Sequence, residues 1–469
     1  MTVPFYDIAV IGAGPAGISA ATTAADLGLK VLLLDEQAQA GGQIYRNVAN
    51  ASQAVMGILG SAYSYGRVLT SRLAVSNVEC LFGALVWDVD EALTLAVQQA
   101  GRSFKVRAGH LIIATGAVER ASPMPGWTLP GVMNAGAAQI AMKSSAAIPS
   151  GKVVLAGGGP LLLLVASQLQ KAGANVAGLV ETSPGGNRWQ AARHLPAALG
   201  AWDYLAKGAS MVRHLRKARV PWFKEATELR AEGVERATAL AFTSKGRGHR
   251  LEADLVLVHH GVVPNTQLTR LLRLEHDWNP VQLAWSVRTD PWGATSRAGV
   301  SVAGDGVAIA GALAAEHAGA IAALGAAQVR GFVSVAERDQ RARPHQQALA
   351  RELLVRPLLD TLYRPPSWLQ QPADDTLVCR CEEVSAGRIR EMAQLGCHGP
   401  NQMKFMSRCG MGPCQGRVCG LAVTQILADA LGKPPQEIGA YRIRTPLKPI
   451  PLASLANIAT AEDVSTPQP

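Results

Sequence analysis

The sequence predicts an α/β protein with two Rossmann-like dinucleotide-binding domains and a small, mainly helical C-terminal domain. Three observations carry that expectation. A glycine-rich turn between an apolar strand and an Ala-rich helix lies at Gly12–Gly17, a second such pattern begins at Gly157, and six of the seven cysteines lie after residue 378. At roughly 150 residues per domain, a chain of 469 residues allows about three. With 48% hydrophobic and 17% charged residues it belongs with globular chains, not disordered ones.

In chain order, Asp7–Ile11 reads as a buried strand, followed by Gly12-Ala-Gly14-Pro15-Ala16-Gly17, a helix to Leu27, and a strand Val31–Leu34 ending at Asp35-Glu36. The middle glycine lets the backbone approach a pyrophosphate, the helix N-terminus offers N–H donors, and an acid after the second strand accepts from a ribose hydroxyl. Asp35 follows Gly12 by 23 residues, close to the spacing of about 20 that this arrangement needs. The framing repeats at Val153–Ala156, Gly157-Gly-Gly159-Pro160 and Val176–Val180, with Glu181 coming 24 residues after Gly157. Here the third glycine position is Leu162, so the second unit is altered and is read either as a site for some adenine nucleotide or as a purely structural βαβ unit. Two strand-to-turn junctions, His110–Ala114 with Thr115-Gly116 and Val300–Ala303 with Gly304-Asp305, belong with the first domain. His259-His260 falls at a domain junction, where a hydrogen-bonded structural pair is favoured over proton carriage for a reduced flavin.

The expected divisions are residues 1–120 with 285–335, 150–258, a helical spacer and linker over 336–373, a cysteine-rich domain over 374–440, and a Pro-rich tail over 441–469 that is extended and finally disordered. No run reaches the ~20 apolar residues of a spanning helix, because residues 302–329 are broken by Asp305, Glu316 and His317. No Lys or Arg precedes Lys30, so the charged region of a secretory signal is missing. A cytoplasmic setting is expected, with at most peripheral contact with the inner membrane. The net charge is +10, and Lys207–Arg250 holds eleven bases against four acids. Without an aromatic ladder or a nucleic-acid module, that stretch is a solvated face or a patch for an acidic partner, and nucleic acid is not expected to bind.

Clustered thiols in a cytoplasmic chain point to metal. Cys379-Arg-Cys381 is followed, after 27 residues, by Cys409-Gly-Met-Gly-Pro-Cys414; Cys397 and Cys419 are surplus and are read as small buried hydrophobes. Zinc is the rival metal, but zinc knuckles place two to four residues between paired ligands and seldom one.

Together the Gly12–Gly17, Asp35, Thr115-Gly116, Gly157–Pro160 and Gly304-Asp305 pieces resemble the pyridine nucleotide-disulfide oxidoreductase type of flavoprotein. That resemblance implies FAD on the first domain, with Gly12, Gly14 and Gly17 at the pyrophosphate, Asp35 at the adenosine ribose, and Pro15, Ala16, Glu36 and Gln37 among the cofactor-binding residues. Gly42, Gln43, Thr115, Gly116 and Gly304 would be further contacts, and Asp305 would face the ribityl-phosphate end. On the second domain Gly157, Gly159, Pro160 and Glu181 would hold NAD(P) or ATP, if anything. Cys80 stands alone, so the paired cysteines of a disulfide reductase are missing. The Cys379–Cys414 segment is similar to ferredoxin domains of the bacterioferritin-associated type, which implies a 2Fe-2S cluster on Cys379, Cys381, Cys409 and Cys414.

The order of these parts, with Gly41-Gly42-Gln43-Ile-Tyr-Arg46 and Pro125-Gly-Trp127-Thr-Leu-Pro-Gly131, is similar to the larger subunits of heteromeric bacterial amine-oxidising flavoenzymes such as opine oxidase, hydroxyproline dehydrogenase and hydrogen cyanide synthase. The resemblance implies an oxidoreductase component that takes electrons from a glycine-oxidase-like flavoprotein subunit, with an interface FMN or a small ferredoxin-like subunit in some members. No catalytic residue is assigned. The alternative is a self-contained NAD(P)H-dependent reductase passing electrons through its cluster to a ferredoxin-like partner. A redox-sensing protein ranks last, for want of a DNA-binding module.

Overall fold

In the computed structural model the described residues are 3–456 and 458. The first sheet contains β1 (Phe5–Ile11), β2 (Val31–Asp35), β3 (Glu79–Phe82), β4 (Ala84–Val89), β5 (Thr94–Gln99) and β6 (Arg102–Ile113) in the spatial order β3-β2-β1-β6-β5-β4. The late strand Val300–Val302 returns to pair with β6. β1, β2, β3 and the first pairing of β6 are parallel, whereas β4, β5 and β6 form an antiparallel meander. Parallel strands are covered on both faces, which is why β1 and β2 are nearly unbroken apolar runs with Ile8, Val10, Leu32 and Leu33 wholly buried.

Helix Pro15–Asp26 lies across helix Ala312–Val329 at close range. A Cβ on Gly319 would stand 2.0 Å from the carbonyl oxygen of Ala16, so only glycine allows that crossing.

The second sheet is parallel and has five strands, in the order Trp222–Phe223, Asn175–Glu181, Lys152–Gly157, Leu255–His259 and Val132–Asn134. Its last strand lies upstream of residue 150, the expected start of this domain. Three residues are too short to show periodicity, and they join the sheet through the register Val256↔Val132. An antiparallel sheet of Thr227–Gly233, Ala237–Ser244 and Arg247–Glu252 caps the domain. Helix Trp202–Lys217 carries much of the basic stretch, with Arg213 and Arg216 exposed.

The spacer folds as helices Val335–Leu353 and Arg356–Leu362, followed by a short 3-10 turn at Ser367–Gln370. The cysteine-rich segment pairs Leu377–Cys379 with Val384–Ser385 and then forms helices Ala386–Gln394, Pro400–Ser407 and Gly420–Leu431. It does not stand apart: one apolar core runs from Leu32, Leu111 and Val300 of the first sheet into Val378, Ile389, Val423 and Ile426. The tail then crosses the first domain, with Leu447 N–H donating to Trp87 O at 2.7 Å and Lys448 paired with Glu36. The expected terminal disorder falls on residues 459–469, outside the described residues. Among the described residues, no helix is long and apolar enough to cross a membrane.

Candidate functional site

The first glycine-rich loop is built for close backbone approach. A Cβ on Gly17 would lie 1.7 Å from Gly12 O, so helix Pro15–Asp26 seats on its strand through a bare Cα. Gly42 has φ +60°, and its Cβ would meet Gly14 Cα at 2.8 Å, so two glycine loops meet at the mouth of the cradle. Gly41 N–H donates to Ala13 O at 2.8 Å and fastens them together. Gly12, with φ +106°, turns the chain beside Ala114.

At the end of β2, Asp35 accepts from Ala13 N–H at 2.6 Å and from Gln37 N–H at 2.8 Å. Burial nevertheless raises its carboxyl pKa, the two donors only partly opposing that. Glu36 points to the tail lysine, and Arg46 joins the Gln37 side chain to Gln43 Oε1. Thr115 and Gly116 are tied to the returning chain, Asn265 N–H donating to Gly116 O at 2.9 Å. Asp305 Oδ1 accepts from Ala310 and Gly311 N–H and so opens helix Ala312–Val329. A Cβ on Gly304 would stand 2.8 Å from Ala16 Cβ, which brings this turn against the first loop.

Two buried cations lie outside the sequence-based site, one against the cradle and one at the domain junction. Lys143 is buried, and its Nζ donates to Gln43 O at 3.1 Å and to Gln139 Oε1 at 2.8 Å. Burial, with Arg46 nearby, lowers its pKa to about 7. Arg120 is buried with its guanidinium donating to the carbonyls of His260, Leu283 and Gln282, which knits the domain junction. An isolated buried cation gives no signal in a sequence, because the carbonyls that receive it come from distant segments.

In the second domain, a Cβ on Gly157 would lie 1.8 Å from His259 O, and Gly159 faces the His259 ring. Pro160 starts helix Pro160–Lys171, in which Leu162 is packed into the core. Glu181 accepts from Trp222 Nε1 at 3.1 Å and has Arg188 at 4.0 Å. Ser183 and the Tyr363 ring from the spacer stand over Gly158, and Asn187 holds Leu362 O at 3.4 Å. A ring of the chain's own spacer thus lies beside the second glycine loop. His259 Nδ1 meets Glu119 at 2.6 Å and His260 Nδ1 meets Ser122 Oγ at 2.9 Å, so both rings are buried members of a hydrogen-bonded junction.

The sulfur atoms of Cys379, Cys409 and Cys419 lie within 4.8 Å of one another, and all three residues are buried. Cys419, read from the sequence as packing, is buried and also a member of this group. Thiols of Cys409 and Cys419 donate to Cys379, which pulls its pKa far down while theirs rise. Cys381 and Cys414 stand outside this group, the Cys381 sulfur hydrogen-bonded to the backbone and thiol of Cys414, so of the four ligands expected from the spacing the group holds Cys379 and Cys409. Cys397 is apart, its thiol on Gly399 O, and Cys80 lies alone on β3.

The glycines of this segment make room for side chains. A Cβ on Gly410 would strike the Tyr441 ring at 2.5 Å and one on Gly412 would strike Cys381 Cβ at 2.2 Å. Tyr441 OH donates to Cys409 O at 2.9 Å. Trp127 anchors the first cysteine strand by donating to Leu377 O at 2.6 Å, with Arg380 over its ring. Arg417 places a charge within reach of Glu36, Cys381 and Cys414, and its guanidinium donates to Leu447 O at 2.9 Å.

The glycine cradle, whose space any Cβ would fill, fits the diphosphate of FAD, and the thiol-only donor set fits an iron–sulfur cluster or another thiophilic metal. Fold and cradle together define a flavoprotein of two dinucleotide-binding domains. The chain belongs to the pyridine nucleotide-disulphide oxidoreductase family, which matches residues 6–320, and it is an oxidoreductase. Residues 374–459 match the sarcosine oxidase A3 domain. The chain is 41% identical to the A subunit of opine oxidase from Rhizobium meliloti, over 97% of its length and 88% of that protein. It is 31% identical to the HcnB subunit of hydrogen cyanide synthase from Pseudomonas aeruginosa, covering 96% and 98% of the two chains. Among solved structures, the L-proline dehydrogenase of P. horikoshii superposes with a TM-score of 0.73 at 19% identity, over 97% of this chain and 80% of that one.

Proposed function

We propose that this chain is the electron-relaying subunit of a heteromeric amino- or imino-acid dehydrogenase, with the amine-oxidising site on a glycine-oxidase-like partner. The observation that carries the reading is the shared core: the cysteine-bearing domain and the FAD-type domain are packed as one body through Leu111, Val378 and Val423. Bound FAD supplies exchange between two-electron and one-electron chemistry, and a 2Fe-2S cluster supplies one-electron transfer.

Gly12, Gly14, Gly17, Gly42 and Gln43 shape the diphosphate cradle, with Asp35 at the ribose and Asp305 at the opposite end. By their spacing Cys379, Cys381, Cys409 and Cys414 are assigned to the cluster, and Cys419, which groups with Cys379 and Cys409, is a further candidate ligand. Arg417, close enough to Glu36, Cys381 and Cys414 to be influenced by their charge, would favour negative charge on those residues. A lone Cys80 gives no dithiol chemistry, and the engagement of Glu181 by Trp222 supports the relay over an NAD(P)H-fed reductase.

The test is anaerobic. The purified chain, with its flavin and iron content measured, receives NADH or NADPH in slight excess, and then the partner with its amine substrate. The relay predicts no bleaching by either nucleotide and reduction of both centres only with the partner. Bleaching within seconds by NADH would move the assignment to the self-contained reductase, and zinc in place of iron would remove both.

A further inference from the structure

Beyond the cysteine motif the stretch 440–444 lies on the cysteine-bearing domain with its side chains alternating. Tyr441 and Ile443 are buried, whereas Arg442 and Arg444 are exposed. That alternation sets both arginines on one side of the chain. The stretch is fixed from two directions. Asn401 of helix Pro400–Ser407 donates to Ala440 O at 3.3 Å and accepts from Arg442 N–H at 2.9 Å. From the first domain the Arg273 guanidinium donates to Ile443 O at 2.9 Å.

This arrangement gathers cations. Arg442 and Arg444 stand close enough to Arg273, and Arg444 to Lys404, for like charges to repel. Arg273 is committed to backbone carbonyls. The heads of Arg442, Arg444 and Lys404 hold no hydrogen bond, and none of the four pairs with an acid among the described residues. Like charges held together without an acid weaken the chain that carries them, and a complementary potential is how an interface steers and selects its partner. Phe405 stands one turn after Asn401 on the same helix face and is 92% exposed. A bare aromatic ring thus lies beside the arginines, an apolar anchor within a charged rim. The sulfur group is close behind: Lys404 Nζ lies 4.8 Å over the Tyr441 ring, and Tyr441 OH donates to Cys409 O at 2.9 Å.

We propose that Lys404, Phe405, Arg442 and Arg444 dock an acidic protein that carries one electron, distinct from the amine-oxidising partner. The charge calls for an acidic surface, and the single residue between Lys404 and Cys409 puts the visitor where single electrons leave. The inference rests on the reading of the sulfur group as the 2Fe-2S site. Transfer moves one electron and makes or breaks no bond: the carrier is reduced as the sulfur-held centre is oxidised.

The experiment uses the full chain with its cofactors and a measured iron content. Binding of a small acidic plant-type 2Fe-2S ferredoxin is titrated calorimetrically at low and at physiological ionic strength, with a basic c-type cytochrome as the counterpart. The expected result is saturable binding of ferredoxin, weakened at least about tenfold by the added salt, and no binding of the cytochrome. Arg442→Glu with Arg444→Glu weakens ferredoxin at least about tenfold, and Phe405→Ser about threefold. The rate at which reduced ferredoxin gives its electron to the oxidised chain falls with the same double reversal. No saturable binding by an iron-loaded chain, or equal binding by it and the double reversal, overturns the face. Binding without electron exchange overturns the carrier. Ferredoxin lost on Arg213→Glu with Arg216→Glu, but kept on reversal of Arg442 and Arg444, moves the dock to helix Trp202–Lys217 and overturns this one. Phosphatidylglycerol vesicles bound through Arg442 and Arg444 while ferredoxin is not would make the face a lipid surface instead. Zinc in place of iron overturns the relay and is read from metal content alone, so the two failures are separable. Should the double reversal fail to fold, Arg442→Gln with Arg444→Gln carries the same comparison.

Discussion

The Cys379 thiol has its pKa pulled down because two thiols, those of Cys409 and Cys419, donate to it within one buried pocket. Metal binding requires thiolates, since ligands must lose their protons to bind. Cys379→Ser is therefore expected to lower the iron content of the purified chain at least about tenfold, as measured by elemental analysis. Cys397→Ser, whose sulfur is committed to Gly399 O, is expected to keep it. Iron retained in Cys379→Ser would sink the assignment of this group. Residue types and spacing make Cys379, Cys381, Cys409 and Cys414 visible along the chain. They do not show Cys419, because its approach depends on how helix Gly420–Leu431 begins, and that is set by packing around Tyr441.

Helix Ala135–Ser145 belongs by sheet pairing to the second domain, yet its last turn clasps the first. Lys143 Nζ donates to Gln43 O, and Asn47 Nδ2 donates to Lys143 O at 3.2 Å. The loop Gly41–Gln43 is thus positioned from across the domain boundary. Leaving a buried acceptor without its donor costs about 1–3 kcal/mol, so Lys143→Met is expected to weaken flavin retention by roughly tenfold. Dialysis of the purified chain, followed by its flavin absorbance, measures this; retention equal to that of the unaltered protein would exclude the clasp. The strand-turn-helix units were legible because period, glycine spacing and the terminal acid reinforce one another locally. The strand Val132–Asn134 was not, since a three-residue strand becomes one only by pairing with Leu255–His259.

Across the whole molecule, acid sensitivity follows from histidines folded away as neutral rings. Burial, reinforced by His259 and Arg120, lowers the His260 pKa to about 3, and burial with Arg330 nearby lowers that of His110 to about 4. Each ring has one nitrogen with no partner, His260 Nε2 and His110 Nδ1, so an added proton has no acceptor. Both values lie below the 6.5 of the unfolded chain, so below that pH the unfolded state binds more protons and stability falls. The slope is about 1.4 kcal/mol per pH unit for each ring, and the contribution is complete above pH 6.5 or so. Urea midpoints measured from pH 7 down to 4.5 are expected to fall steeply, and His110→Gln with His260→Gln to flatten the curve. A profile unchanged by the double substitution would refute this account.

Local pattern was enough for the α/β class, both glycine-rich units, the acid that ends the second strand of each and the cysteine motif, because each is written in residues close together along the chain. Three-dimensional packing settled what contiguity cannot encode. It merged the cysteine-bearing domain with the first core, brought Tyr363 of the spacer beside Gly158, moved Cys419 to Cys379, and set the Lys143 ammonium on the Gln43 carbonyl. Those outcomes depend on burial and on partners tens to hundreds of residues away, and the free energy of a buried polar group is set by whichever partners the fold delivers to it.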